Sequence, residues 1–164
     1  MIFPPDTQAL AAKVIHAYAG KKRRLVTAES CTGGLITAVL TEIPGSSAVL
    51  ERGYVAYSND AKVEVLGILP ETVQLAGAVS ADIAEEMAQG ALDFSLADIG
   101  ISVTGIAGPD GGTPVKPVGL VYFGLVSRFG ARMHYRAQFN GDRSSIRLQA
   151  VHEALRLLDT FIES

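Results

Sequence analysis

Leu25-Val26-Thr27-Ala28-Glu29-Ser30-Cys31-Thr32-Gly33-Gly34 decides how the chain is read. The first four residues are short, apolar and β-prone, the pattern of a buried strand. The next six are small, hydroxyl-bearing or glycine. Leu35 to Thr41 then reads as a helix, stopped by Pro44-Gly45. A strand, a tight turn and a helix in succession open an α/β unit. Upstream, Leu10, Val14, Ile15 and Tyr18 recur at helical spacing. Asp6 or Thr7 is the expected N-cap, and Gly20 followed by Lys21-Lys22-Arg23-Arg24 closes the helix. That basic run is a solvated helix end rather than a nucleic-acid patch.

Downstream, Ala48 to Ser58 reads as a strand, and Asn59 is the expected cap of a helix that ends at Leu66-Gly67. Pro70 to Ala76 adds a further helical turn or two. Ser80 caps a helix with Ile83, Met87, Ala91 and Leu92 on one face. Asp98 to Thr104 is a strand that empties into the Gly- and Pro-rich stretch 105–114. Val118–Ser127 and Met133–Phe139 pair as a hairpin through Phe129-Gly130-Ala131, and Asp142 caps the last helix. The order α-β-α-β-α-α-β-β-β-α predicts an α/β fold, a three-layer α/β/α sandwich around a mixed β-sheet. One domain over residues 1–164 is expected. Ligands in such sheets bind beyond the carboxyl ends of strands, where both glycine-rich segments fall.

The 164 residues are 48% hydrophobic and 19% charged, with a formal charge of −3. A chain so apolar buries a core and is not disordered. No basic excess exists to neutralise a phosphate backbone, so nucleic acid is not an expected partner. Nowhere do about 18 uncharged apolar residues run together, so no membrane partner is expected, and the N-terminus lacks a secretory pattern. A single cysteine, Cys31, forms no internal disulfide and fits a reducing cytoplasm. The apolar composition also fits a homo-oligomer.

Three places carry chemistry-bearing residues. Ser30, on the strand-to-helix turn, is either an ordinary N-cap or a nucleophile beside free amides. The segment is neither G-x-S-x-G nor S-x-x-K, because Ala28 and Gly33 stand at the diagnostic positions. His16, His134 and His152 read as surface or core histidines without metal-ligand spacing, so no metal is expected. Lys62 is the other available base, provided burial lowers its pKa, with Tyr57 nearby in Tyr57-Ser58-Asn59; each is otherwise an ordinary helix or strand residue. The 105–112 loop fits neither a P-loop nor a dinucleotide loop and reads as a pocket border. Arg143, at the first turn of the last helix, suits a phosphate or carboxylate, or is a surface arginine.

Glu29-Ser-Cys-Thr-Gly-Gly34, Pro44-Gly-Ser-Ser47, Tyr57-Ser-Asn59 with Lys62, Gly77-Ala-Val-Ser80, Gly105-Ile-Ala-Gly-Pro109, Gly112-Thr-Pro114, Lys116-Pro-Val-Gly119 and Gly141-Asp-Arg143 together resemble the CinA C-terminal domain family. The blocks follow the family order over essentially the whole chain. The resemblance is to the stand-alone form, without the extra N-terminal domain of longer competence/damage-inducible members. It implies hydrolysis of the carboxamide of nicotinamide mononucleotide to nicotinate mononucleotide and ammonia, with no cofactor, in pyridine nucleotide recycling. It implies a nucleophile at Ser30 with Lys62 and Tyr57 close by. That the base is one of those two is a separate expectation, drawn from their residue types. Cys31, Thr32, Gly33, Gly34, Ser47, Thr104, Gly105 and Arg143 are the expected substrate contacts, the amides near Thr32 to Gly34 holding the oxyanion. Two rivals stand beside this: Cys31 as the nucleophile, and a non-catalytic pyridine-nucleotide-binding sensor or assembly domain.

Overall fold

β1 (Leu25–Glu29) is buried along its whole length because both of its faces are covered. Leu25 packs into one core, and Thr27 and Glu29 bond toward the same side. Val26 and Ala28 pack into a second core on the other side. This alternation is the period-two geometry of a strand, and it later separates the charges of the site. A computed structural model describes residues 2–164. α1 (Pro5–Gly20) precedes β1. α2 (Leu35–Thr41), a 3-10 turn (Ser46–Ala48), β2 (Leu50–Val55), α3 (Asn59–Leu66), α4 (Pro70–Ala76) and α5 (Ala81–Asp93) follow it. The chain then continues through β3 (Ile99–Gly105), β4 (Leu120–Ser127), β5 (Arg132–Gln138) and α6 (Arg143–Phe161).

The strands form one mixed sheet in the order β2-β1-β3-β4-β5. β1 runs parallel to β2 and β3, with Glu29 opposite Val55 and Val103, and β4 and β5 turn back antiparallel. α1, α2 and α6 cover one face around Ile15, Ile36, Phe123 and Leu155. α5, with α3, covers the other around Met87, Leu66 and Leu92. The three-layer α/β/α sandwich is therefore the observed fold. α5 lies unusually close to the sheet: a Cβ at Gly100 would stand 2.6 Å from the Ala88 carbonyl, and one at Gly124 would collide with that of Ala84. No helix among the described residues is long and apolar enough to cross a membrane.

Several expected boundaries shift. α1 is capped by neither Asp6 nor Thr7. Pro5 occupies its first turn, where a missing N–H costs nothing, and Pro4 stands at the cap. Ser58, not Asn59, caps α3, its Oγ accepting from the Ala61 amide at 3.0 Å. β2 begins two residues later than Ala48, because Ser46–Ala48 form the 3-10 turn, and it ends at Val55. Ser80 and Asp142 cap as expected, accepting from Ile83 N at 3.3 Å and Ser145 N at 2.8 Å.

Candidate active site

The turn after β1 is organised by Glu29, which is fully buried. Its Oε2 accepts from Thr32 Oγ1 at 2.6 Å and from the amides of Gly34 and Ile36 at 3.0 Å each. Its Oε1 accepts from Thr37 N and Thr37 Oγ1, both at 2.8 Å. The first amides of a helix lack internal partners and must find them elsewhere. Gly34 stands at the cap position of α2 with φ +100° and has no side chain to offer. Gly33 (φ +59°) and Gly34 adopt left-handed conformations that fold the chain back, so these amides converge on the carboxylate. The reading of Ser30 as an N-cap is thus corrected, since a residue before the turn does the capping. Sequence reasoning gave Glu29 no role of its own. The available signal was a carboxylate at the end of an otherwise apolar buried strand.

Relieved of capping, Ser30 turns its hydroxyl toward α3. Lys62 Nζ lies 3.2 Å from Ser30 Oγ, 3.3 Å from Ala56 O and 3.2 Å from Tyr57 O. Lys62 is 1% exposed and Ser30 7%. Lys62 and Leu66 are the buried residues of α3, four apart on one face, so the lysine occupies a position that normally holds an apolar side chain. Burial lowers its pKa below the ordinary lysine value. Nζ is placed to donate to all three oxygens; in a free-amine form two N–H bonds would stay on the carbonyls and the lone pair would be left for the serine hydroxyl.

These two residues form the floor of a pocket of about 290 Å³, at the carboxyl ends of β1, β2 and β3. Cys31, Tyr57, Thr104, Gly105 and Arg143 line it, together with Asn59, Val79, Asp110 and the 105–108 loop. Arg143 spans the mouth, donating from Nη1 to Gly108 O at 2.7 Å and from Nη2 to Tyr57 Oη at 3.1 Å. Tyr57 is 62% exposed, and its hydroxyl meets Arg143 rather than Ser30. Thr104 donates to Ala78 O at 2.7 Å, tying β3 to the loop before α5. Cys31 is buried, which pushes its thiol up to about 12 and leaves it a poor nucleophile.

Four expected contacts do not line this pocket. Ser47 is exposed in the turn that leads into β2. Because β1 and β2 are parallel, that position lies at the opposite end of the sheet from Ser30. Thr32 is buried with its hydroxyl on Glu29, and the Gly34 amide is occupied by the same carboxylate. The Gly33 amide donates to Ser30 O at 3.0 Å. Gly33 and Gly34 therefore offer no amide to an oxyanion. In this turn the amides of Cys31 and Thr32 find no acceptor on another of the described residues, the Cys31 amide meeting only its own thiol, and of the two residues only Cys31 borders the pocket. The histidines lie elsewhere: His152 meets Thr7 at 3.1 Å and His134 meets Glu85 at 2.7 Å. Sequence reasoning also missed Arg147, whose Nε donates to Cys31 O at 3.0 Å and Nη2 to Thr32 O at 3.1 Å.

The family model of the CinA C-terminal domain matches residues 7–162. The chain belongs to this family. A competence/damage inducible protein CihA of Agrobacterium tumefaciens, of known crystal structure, superposes with a TM-score of 0.96 at 45% identity, over 100% of this chain and 99% of that one. The nicotinamide-nucleotide amidohydrolase PncC of Escherichia coli K12 is 46% identical over 153 residues, 93% of each protein. A putative competence-damage inducible protein of Caldicellulosiruptor saccharolyticus is 48% identical over 157 residues. That match is 96% of this chain, which spans 38% of the longer relative.

Proposed function

We propose that the chain is a nicotinamide-nucleotide amidase, hydrolysing the carboxamide of nicotinamide mononucleotide with Ser30 as nucleophile and Lys62 as its base. The observation that carries this reading is the 3.2 Å approach of a desolvated lysine to a serine hydroxyl inside a pocket. The name of the Escherichia coli relative supports the substrate class. Lys62, as the free amine, takes the Ser30 proton while its two N–H bonds stay on Ala56 O and Tyr57 O. Ser30 Oγ bonds to the amide carbon, and the carbonyl oxygen becomes an oxyanion facing the Cys31 amide. When the C–N bond breaks, the Lys62 ammonium returns the proton and ammonia leaves. Water, deprotonated by Lys62, then cleaves the ester to nicotinate mononucleotide and frees Ser30. Arg143 holds the phosphate at the mouth, and Thr104 and Gly105 border the ring and ribose. One amidase domain, a cytoplasmic homo-oligomer, pyridine nucleotide recycling and independence of cofactors complete this reading.

Ammonia release from nicotinamide mononucleotide by the purified protein tests it, with a chelator present and Ser30→Ala as control. The expected result is release that survives the chelator and falls at least about a thousandfold in the variant. Binding of the nucleotide without release would instead make the domain a nucleotide sensor. Near-normal turnover by Ser30→Ala would remove Ser30 from the chemistry.

A further inference from the structure

We infer that Arg147 is a positioning residue for this reaction, fixing the Ser30 turn so that the Cys31 amide faces the oxyanion; the inference rests on the serine-amidase reading above. The turn is gripped from two sides. Glu29 takes its later amides, and Arg147 takes two of its carbonyls. The peptide plane before the Cys31 Cα is pinned through Ser30 O by the Gly33 amide. The plane after it is pinned through Cys31 O by Arg147 Nε. With both planes fixed, the Cys31 N–H has one direction, and no acceptor on another of the described residues takes it; only the Cys31 thiol itself lies near it. An oxyanion donor is effective when it is held in place before charge develops.

Arg147 is suited to this by its planar fork, which meets successive carbonyls as a flexible lysine ammonium does not. It is half-buried and has no carboxylate within ion-pair distance among the described residues, unlike Arg52, Arg132 and Arg156. Its positive charge is therefore not cancelled by a neighbour and acts on the turn; it is felt at the Cys31 side chain, where it favours the anion. Arg143 and Arg147 are one helical turn apart, so α6 sends one guanidinium to the mouth of the pocket and the next to the carbonyls of the turn that carries Cys31 and Thr32.

The test uses Arg147→Met and Arg147→Lys in the full chain. Three quantities are measured per folded molecule: kcat and KM for nicotinamide mononucleotide, melting temperature, and the rate at which a small fluorophosphonate labels Ser30. That probe loses fluoride as Ser30 attacks phosphorus, and its phosphoryl oxygen occupies the oxyanion position, so labelling reports the donor without the nucleotide. The expected result for Arg147→Met is a fall in kcat of about 30- to 300-fold, within the range for one lost oxyanion donor. KM should stay within threefold, and labelling should slow by a similar factor. Arg147→Lys should recover part of both, and it carries the test if the methionine variant does not fold. The inference is overturned if kcat per folded molecule stays within threefold, if the loss sits in KM, or if labelling keeps its speed while kcat falls. A wild-type protein that neither releases ammonia nor labels overturns the amidase reading and this inference with it. An active, labelling wild type with active variants overturns this inference alone.

Discussion

Glu29→Gln removes one charge and one acceptor oxygen from the centre of the turn while leaving the side-chain volume almost unchanged. The carboxylate serves three backbone amides and two hydroxyls. Glutamine keeps one oxygen, and its NH2 must face one set of donors. The less costly choice puts the NH2 at the Oε1 position. Thr37 can then turn its hydroxyl to Thr27, whose oxygen is already 2.6 Å away, but the Thr37 amide loses its acceptor. One buried amide without a partner costs about 1–3 kcal/mol, and the Gly34 and Ile36 amides lose about 1 kcal/mol each on passing from a charged to a neutral acceptor. The total is about 3–5 kcal/mol, which in a domain of this size lowers the melting temperature by about 6–20 °C. Thermal unfolding followed by circular dichroism reads this directly. A variant melting within 3 °C of the wild type would refute the assignment of Glu29 as the clasp of the turn.

Other consequences concern the lysine and the thiol. Lys62→Met should lower kcat/KM by about 10²- to 10⁴-fold, the usual worth of a general base. The wild-type profile should rise with pH below the ordinary lysine range, and the variant should lose that limb. Stability should move as well: in the window between the lowered folded pKa of Lys62 and about 10.4, the unfolded chain binds more protons, so wild-type stability rises with pH there. The melting temperature of Lys62→Met relative to wild type is therefore highest below that window and declines through it; a pH-independent difference would contradict a desolvated ammonium. Cys31, with its thiol near 12, should react with iodoacetamide at pH 8 roughly a thousandfold more slowly than an ordinary thiol. Intact mass spectrometry checks this, and alkylation at an ordinary rate would reopen Cys31 as nucleophile.

The sheet, its layers and the end at which the pocket opens were legible because they follow from periodicity and strand polarity. β1 announced itself as an apolar run, and the glycine-rich segments after β1 and β3 marked the carboxyl ends. Ser30, Lys62 and Arg143 were named as candidates because their residue types suit the chemistry. What a turn residue does inside the turn was not legible. The Thr32 to Gly34 amides looked free by their position near a helix start, and only the three-dimensional return of Glu29 reveals that Gly34 is occupied. Ser47 lies away from this pocket for a topological reason: a loop that enters a parallel strand sits opposite one that leaves its neighbour. Arg147 acts through carbonyls 115 and 116 residues away in sequence, a separation that no local pattern encodes.

The alternation of β1 links these parts. Glu29 and Ser30 are adjacent, yet strand geometry sends them to opposite sides, Glu29 toward α2 and Ser30 toward Lys62 on α3. Had the carboxylate faced Lys62, an ion pair would have held the ammonium charged and removed the free amine that the proposed mechanism needs to accept the serine proton. Here the carboxylate is taken up by donors of the turn, and Lys62 meets only two carbonyls and a hydroxyl. Burial, with no carboxylate partner opposing it, then sets the lysine titration. A charged residue in a buried strand and a lysine at an apolar helix position each break a local rule of stability. Such conflicts are expected where function decides the residue. Exchanging their sides of the sheet would keep the composition and fold pattern of the chain while losing the base.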